Sequence, residues 1–407
     1  MTEGALRIAF VYDGLYPHVK GGAERRYHEL GRRLRERHDV HFVSWQWWDG
    51  PARIRSDGMT LHGVGRPPSL YGRDGKRTVR EAVAFSARLL PVLLRQRFDV
   101  IDCAATPYVP LYTTALAARL TRTRLVATWH EFWGEHWNEY LPRRPLIAAA
   151  AKRIEGVSRR LGDRLVAVSG FTADRMGLSD DARLAVVGNG VALGEIDAEP
   201  AVANAAEIVY VGRLIDEKRV DLLLDAMHLL RDLFPALRCA IVGDGPELAS
   251  LRRRAADLEL AGRIAFHGQV EGSAVYGHVK GASVLVLPSI REGFGMAAAE
   301  AQACGTIPVV VRSLASGAPD LVRDGVDGVL VGATPRALAD GIASVLTDAD
   351  RMRVLSENAR HVGMTRDWEA LAQRMEAIYR GEPAAEAVGA GSHSTIEPAG
   401  TSAQALR

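Results

Sequence analysis

Ser289-Ile290-Arg291-Glu292-Gly293-Phe294-Gly295-Met296-Ala297-Ala298-Ala299-Glu300 follows an apolar run at 284–287 and Pro288, and leads into Ala301-Gln302-Ala303-Cys304-Gly305. The apolar run reads as a buried parallel strand, and Pro288 with Gly293 and Gly295 as a loop that opens a helix of small residues. Glu292 falls in the loop and Glu300 inside the helix, eight residues on, a separation of at most about 12 Å at helical rise. Carboxylates accept hydrogen bonds from sugar hydroxyls, while free amides at a helix N-terminus attract phosphate between them. Spacing alone favours the plainer reading, two acids on a solvated helix face. The glycines flanking Phe294 shift the balance, because they let a ligand approach the backbone.

Outward from this stretch the chain repeats one plan. Strand-like runs at 208–211, 238–242, 264–267, 284–287, 307–311 and 328–331 alternate with helical runs, and an earlier series at 6–12, 39–44, 60–64, 99–102, 124–128, 164–168 and 184–187 does the same. This alternation predicts an α/β fold of two Rossmann-like, doubly wound domains. The Ala/Glu/Pro-rich segment 195–207 reads as a linker, giving an N-terminal domain 1–195 and a C-terminal domain 196–365. Three helical segments follow at 334–380, and 381–407 reads as a disordered tail.

With 407 residues, 47% hydrophobic and 25% charged, the composition is that of an ordinary globular protein with two cores. No apolar run reaches about 18 residues and the start has no signal-peptide core, so a cytoplasmic location is expected. Cys103, Cys239 and Cys304 are too scattered for a disulfide framework or a metal site and read as buried reduced thiols. Net charge is +9 through Glu195 and −7 beyond it. The basic half, with clusters at 25–37, 73–80 and 152–160, could favour an anionic acceptor or peripheral attachment at the inner face of a membrane. Plain helix-face decoration competes with that reading, and nothing points to nucleic acid.

Arg213 follows the strand-end Gly212, and Lys218 stands near the next helix start, so two cations and helix amides converge at the carboxyl edge of a sheet. A diphosphate suits that arrangement. Gly21 and Gly22 after the first strand let backbone amides approach a phosphate, although a Gly-Gly pair is more often a simple turn. The dinucleotide and Walker fingerprints are missing. His130 ends a buried strand and faces the same cleft, with Trp133 and Trp137 after it as candidate surfaces for a sugar ring. Backbone near Gly268 and Val270 could read a base edge. Asp348-Ala349-Asp350 lies between two helices, where Asp348 reads as an N-cap rather than a metal ligand.

Together these motifs resemble the retaining family 4 glycosyltransferases of the GT-B fold, over about residues 6–379. The match rests on Val211-Gly212-Arg213-Leu214 with Lys218, Val242-Gly243-Asp244-Gly245-Pro246, Glu292-Gly293-Phe294-Gly295, Glu300, and Ala303 to Val310 in order, with Asn189-Gly190-Val191 before them. The resemblance implies that Arg213 and Lys218 bind a donor diphosphate, that Glu292 holds sugar hydroxyls and Glu300 the ribose, that Gly22 approaches a phosphate, and that His130 contacts the donor sugar. It also implies a last helix, 366–380, crossing back to the first domain. The expected reaction is metal-independent transfer from a UDP- or GDP-sugar co-substrate, with no further cofactor, to a glycan, lipid-linked or small-molecule acceptor. A nucleotide-sugar-binding subunit, an epimerase or a phosphorylase on the same fold is the alternative.

Overall fold

The computed structural model describes residues 4–68, 79–142 and 144–382. The first sheet contains β1 (Arg7–Val11), β2 (Asp39–Ser44), β3 (Arg53–Ser56), β4 (Met59–Gly63), β5 (Val100–Ala104), β6 (Arg124–Trp129), β7 (Arg164–Ala167) and β8 (Leu184–Val186), in the order β3-β4-β2-β1-β5-β6-β7-β8. All neighbours are parallel except β3 and β4. The second sheet contains β9 (Ile208–Val211), β10 (Cys239–Val242), β11 (Ile264–Gly268), β12 (Val284–Leu287), β14 (Ile307–Val311) and β16 (Val329–Val331), ordered β11-β10-β9-β12-β14-β16 and wholly parallel. A separate ladder of two residues joins β13 (Arg291–Glu292) to β15 (Ala315–Ser316).

The strands are central because their residues are apolar without alternation. Ile8, Ala9, Phe10 and Val11 are all buried, as are Val284 to Leu287, which requires helices on both faces of each sheet. Cores accordingly form on each side. One lies around Phe10, Tyr27 and Phe42, another around Trp45, Phe85 and Trp129, and a third around Ile208, Leu223 and Val309. The fourth belongs to both halves: Val168 and Val191 share it with Phe294, Ala298 and Leu321.

The closing helix, Trp368–Arg380, returns to the first sheet, where Trp368, Met375 and Tyr379 are fully buried in the Phe10 cluster. Asp367 caps it by accepting from the Glu369 amide. The Tyr379 hydroxyl donates to Asp102 at 2.5 Å, giving a buried carboxylate a partner from 277 residues away.

Several expectations change. The segment 195–207 is not a plain linker, because Leu193–Ala198 is helical and buries Ile196 in the shared core. Cys304 is half-buried, whereas Cys103 and Cys239 are buried. Glu292 sits on a short strand rather than in a loop. The tail beyond 382 and basic residues 73–78 lie outside the described residues. No helix among the described residues is long and apolar enough to cross a membrane.

Candidate functional site

The carboxyl ends of β9, β10, β11 and β12 build one wall. Lys218 closes a single 3-10 turn, Asp216–Lys218, that precedes the helix Val220–Leu230, so its side chain reaches back over the sheet edge. There its Nζ donates to Glu292 Oε1 at 2.5 Å, with both side chains mostly buried. The backbone of Glu292 is fixed by the β13–β15 ladder and by the Gly317 amide, which donates to its carbonyl at 2.8 Å. Arg213 is exposed and free of ion pairs among the described residues. Its carbonyl accepts from the Tyr210 hydroxyl at 2.9 Å. Burial, reinforced by Glu292 nearby, pushes that hydroxyl well above its ordinary range, so it remains a donor. Gly212 follows β9 directly, and Gly268 ends β11 with its carbonyl accepting from the Gly243 amide at 2.8 Å. Val270 packs against the shared core that contains Phe294.

Gly295 takes φ 100°, a left-handed turn that feeds the helix Met296–Cys304. Glu300 lies in that helix, nearly buried, and accepts from Tyr276 at 3.2 Å and from Arg25 at 3.1 Å. Burial raises its pKa and Arg25 opposes that shift.

The facing wall comes from the first domain. Gly21 is the N-cap of the helix Gly22–Leu34 and has no side chain of its own to cap it, while the Glu24 carboxylate lies against it. A Cβ on Gly22 would stand 3.4 Å from Met296 Cγ, which places this N-terminus against the start of the Glu300 helix. His130 follows β6, with Tyr12 and Tyr27 at ring distances of 6.4 and 5.9 Å. Its Nε2 is closed to solvent and has no hydrogen-bond partner among the described residues. Burial, with Arg26 adding repulsion, lowers its pKa to about 3, so the ring is neutral at physiological pH.

The walls meet at Gly293. A side chain there would overlap the His130 carbonyl oxygen, which is why the position needs glycine. The Ser169 hydroxyl donates to the Gly293 carbonyl at 2.8 Å, and Arg291 pairs with Glu131 at 2.9 Å. Thus His130, Gly293, Phe294, Glu292 and Lys218 form one contiguous group, with Gly22 and Glu300 joined through Met296 and Arg25. Gly268 and Val270 lie along the same sheet edge. The loop aromatics are less available than their sequence suggests. Trp133 packs on Trp137 and Tyr140, and the Arg291 guanidinium lies 3.3 Å from its ring centre. Asp348 accepts from the Arg351 amide as a helix cap.

Sequence reasoning missed Tyr210, Ser169, Tyr276 and Arg25. Glu155 was missed too: it is buried and accepts from the amides of Trp133 and Gly134, both at 2.7 Å, which shapes the loop after His130. A hydroxyl that points from a strand onto a turn leaves no periodic signal.

Residues 20–195 match the family described as Glycosyltransferase Family 4, and residues 195–362 match Glycosyl transferases group 1. The chain belongs to the family 4 glycosyltransferases. Among relatives of this chain, the D-inositol 3-phosphate glycosyltransferase of Geodermatophilus obscurus is 36% identical over 203 residues, 47% of this chain and 44% of that one. The GDP-mannose-dependent alpha-(1-6)-phosphatidylinositol monomannoside mannosyltransferase of Mycolicibacterium smegmatis is 31% identical over 43% of this chain and 47% of its own. The matches thus span less than half the length of these relatives. Sucrose-phosphate synthase from Thermosynechococcus elongatus superposes with a TM-score of 0.76 at 20% identity, covering 92% of this chain and 98% of that one, and so shares the GT-B fold.

Proposed function

We propose that this glycosyltransferase moves a sugar from a UDP- or GDP-sugar to an acceptor hydroxyl, with retention at the anomeric carbon and without a metal. The observation that carries the reading is the group formed where the two walls meet: a mostly buried Lys218–Glu292 pair beside the exposed Arg213, opposite the N-terminus of the Gly22 helix and a neutral His130. Cations and amides suit the diphosphate, Glu292 suits the hydroxyls of the transferred sugar, and Glu300 suits the ribose. Gly268 and Val270 offer backbone groups to the base. Glu292 is the smaller commitment of charge once ligand arrives, since Lys218 then turns from it toward phosphate.

In the reaction the bond from the anomeric carbon to the diphosphate oxygen breaks and one to the acceptor oxygen forms on the same face. The acceptor's proton passes to the departing diphosphate. Negative charge grows on that leaving group, so donors aimed at it supply much of the catalysis. The acceptor is a hydroxyl of a glycan, a lipid-linked sugar or a small molecule. The named relatives, with their inositol phosphate and phosphatidylinositol acceptors, favour an anionic one, in keeping with the basic first half.

Lys218→Ala lowers turnover on the order of 100-fold or more, the loss seen when one donor to a developing anion is removed. Steady-state kinetics at saturating donor checks this, and a wild-type rate removes Lys218 from the mechanism. Attachment to the inner face of a membrane is a further proposal. It rests on the basic half and on the helix Pro145–Ser158, which exposes Leu146 and Ile147 beside Arg144. The protein then co-sediments with vesicles containing anionic lipid and not with neutral ones; equal recovery from both excludes it.

A further inference from the structure

Arg25 stands three residues after Gly22, in the first turns of the helix whose N-terminus faces the cleft. Its side chain leaves the first domain and touches three helices of the opposite wall. Nη1 donates to Glu300 Oε1 at 3.1 Å, and Nη2 donates to the Tyr276 hydroxyl at 2.6 Å and to Glu195 Oε2 at 3.4 Å. The Tyr276 hydroxyl in turn donates to the same Oε1 at 3.2 Å. Both donors therefore converge on one oxygen of Glu300, and no described residue hydrogen-bonds Oε2. The guanidinium is about one-fifth exposed and the Glu300 side chain about one-tenth, so water screens this pair far less than a surface one.

We infer that Arg25 is a positioning residue that holds the Glu300 carboxylate with its second oxygen presented to a ribose, and that it couples this grip to the seating of the Gly22 helix N-terminus against the diphosphate. The inference rests on the donor reading above, which gives Glu300 the ribose. Its physical content is a linkage. Moving Glu300 toward a ligand moves Arg25, and Arg25 moves the helix whose leading amides sit one turn away. A nucleotide that satisfies Oε2 leaves the Arg25–Oε1 bond intact, so ribose binding on the second domain holds the first domain's phosphate-facing amides in place. Burial drives Glu300 toward the neutral acid, and Arg25 opposes that shift.

Isothermal titration of UDP, GDP and inorganic pyrophosphate into wild type, Arg25→Ala, Arg25→Gln, Glu300→Gln and the Arg25→Ala/Glu300→Gln double variant tests this. Arg25→Ala loses about tenfold in affinity for whichever nucleoside diphosphate the wild type binds, the size of one charge-assisted hydrogen bond, while pyrophosphate affinity stays within about twofold. The double variant binds no more weakly than Glu300→Gln, because the two residues act through one contact. Arg25→Gln, which keeps a neutral donor on a shorter side chain, recovers at most part of the loss and serves if the alanine variant is unstable. Unchanged nucleoside diphosphate affinity in Arg25→Ala overturns the inference, as does an equal loss for pyrophosphate or multiplicative losses in the double variant. A wild type that binds pyrophosphate but neither UDP, GDP, ADP nor dTDP overturns the donor reading instead, and the inference with it.

Discussion

His130 holds a neutral imidazole in a place where a charged one would have no acceptor. Its Nε2 is shut off from water and the charge that opposes its protonation is Arg26, itself fully buried and donating to Asn189 at 2.8 Å and to the Gly188 carbonyl. The unfolded chain binds a proton here near the usual histidine pKa, about 6.5, whereas the folded chain does not until about pH 3. The unfolded state thus holds more protons in that window, and the penalty to folding grows as pH falls from about 6.5 toward 3. Between pH 7 and pH 5 the wild type loses up to about 2 kcal/mol through this one group. His130→Gln lacks that component, so the stability gap between the two proteins in urea shifts toward the variant at pH 5. A gap independent of pH means that the imidazole is protonated in the fold. Lys218 and Glu292 make the opposite case. Each is the other's counter-ion, so the pair sits mostly buried without an uncompensated charge, ready for exchange when phosphate competes for the lysine.

The elements that were legible in the sequence are those with a strong local pattern. Continuous apolar runs such as Ile8 to Val11 and Val284 to Leu287 announced strands covered on both faces, and the glycines at 293 and 295 announced the turn between β12 and the Glu300 helix. The return of Trp368–Arg380 followed from resemblance together with its helical apolar period. What stayed hidden lacked period or length. β3 has four residues, two of them arginine, and is held by antiparallel pairing with β4 and by the one apolar side chain, Ile54, on the Phe10 cluster. β13 and β15 have two residues each, too short for any alternation. The 195–198 part of the helix Leu193–Ala198 looked like linker because the helix's one buried residue, Ile196, is fixed by a core assembled from both halves. The same logic applies to the site. Its backbone devices and charged motifs were local and readable, but the partners that orient them come from far along the chain: Arg25 is 275 residues from Glu300, and Ser169 is 124 from Gly293. Arg25 also sits among arginines on one helix, where its sequence context is that of any solvated face.

At the scale of the molecule, the two halves are joined by contacts of unequal weight. The exposed Lys20–Glu271 pair, at 3.9 Å with Glu271 90% exposed, contributes little, and ionic strength weakens it further. The opposite net charges of the halves, +9 and −7, act only over a screening length of about 10 Å at 0.1 M salt. The junction instead depends on close packing: Phe294 in a core shared with Val168, Gly293 on the His130 backbone, and the Ser169 hydroxyl on the Gly293 carbonyl. A ligand that touches both walls adds to these contacts only in the folded chain, so it raises apparent stability by mass action, about 2.7 kcal/mol at one hundred times its dissociation constant. On the proposed donor reading the base is met by the second wall and the diphosphate by both, so at equal ligand concentration UDP, GDP, ADP and dTDP differ from one another, and the best of them exceeds pyrophosphate. Thermal unfolding across that series measures the difference. Equal midpoints for all four nucleotides and pyrophosphate would mean that the phosphates alone are gripped, and would remove Gly268, Val270 and Glu300 from the donor site together.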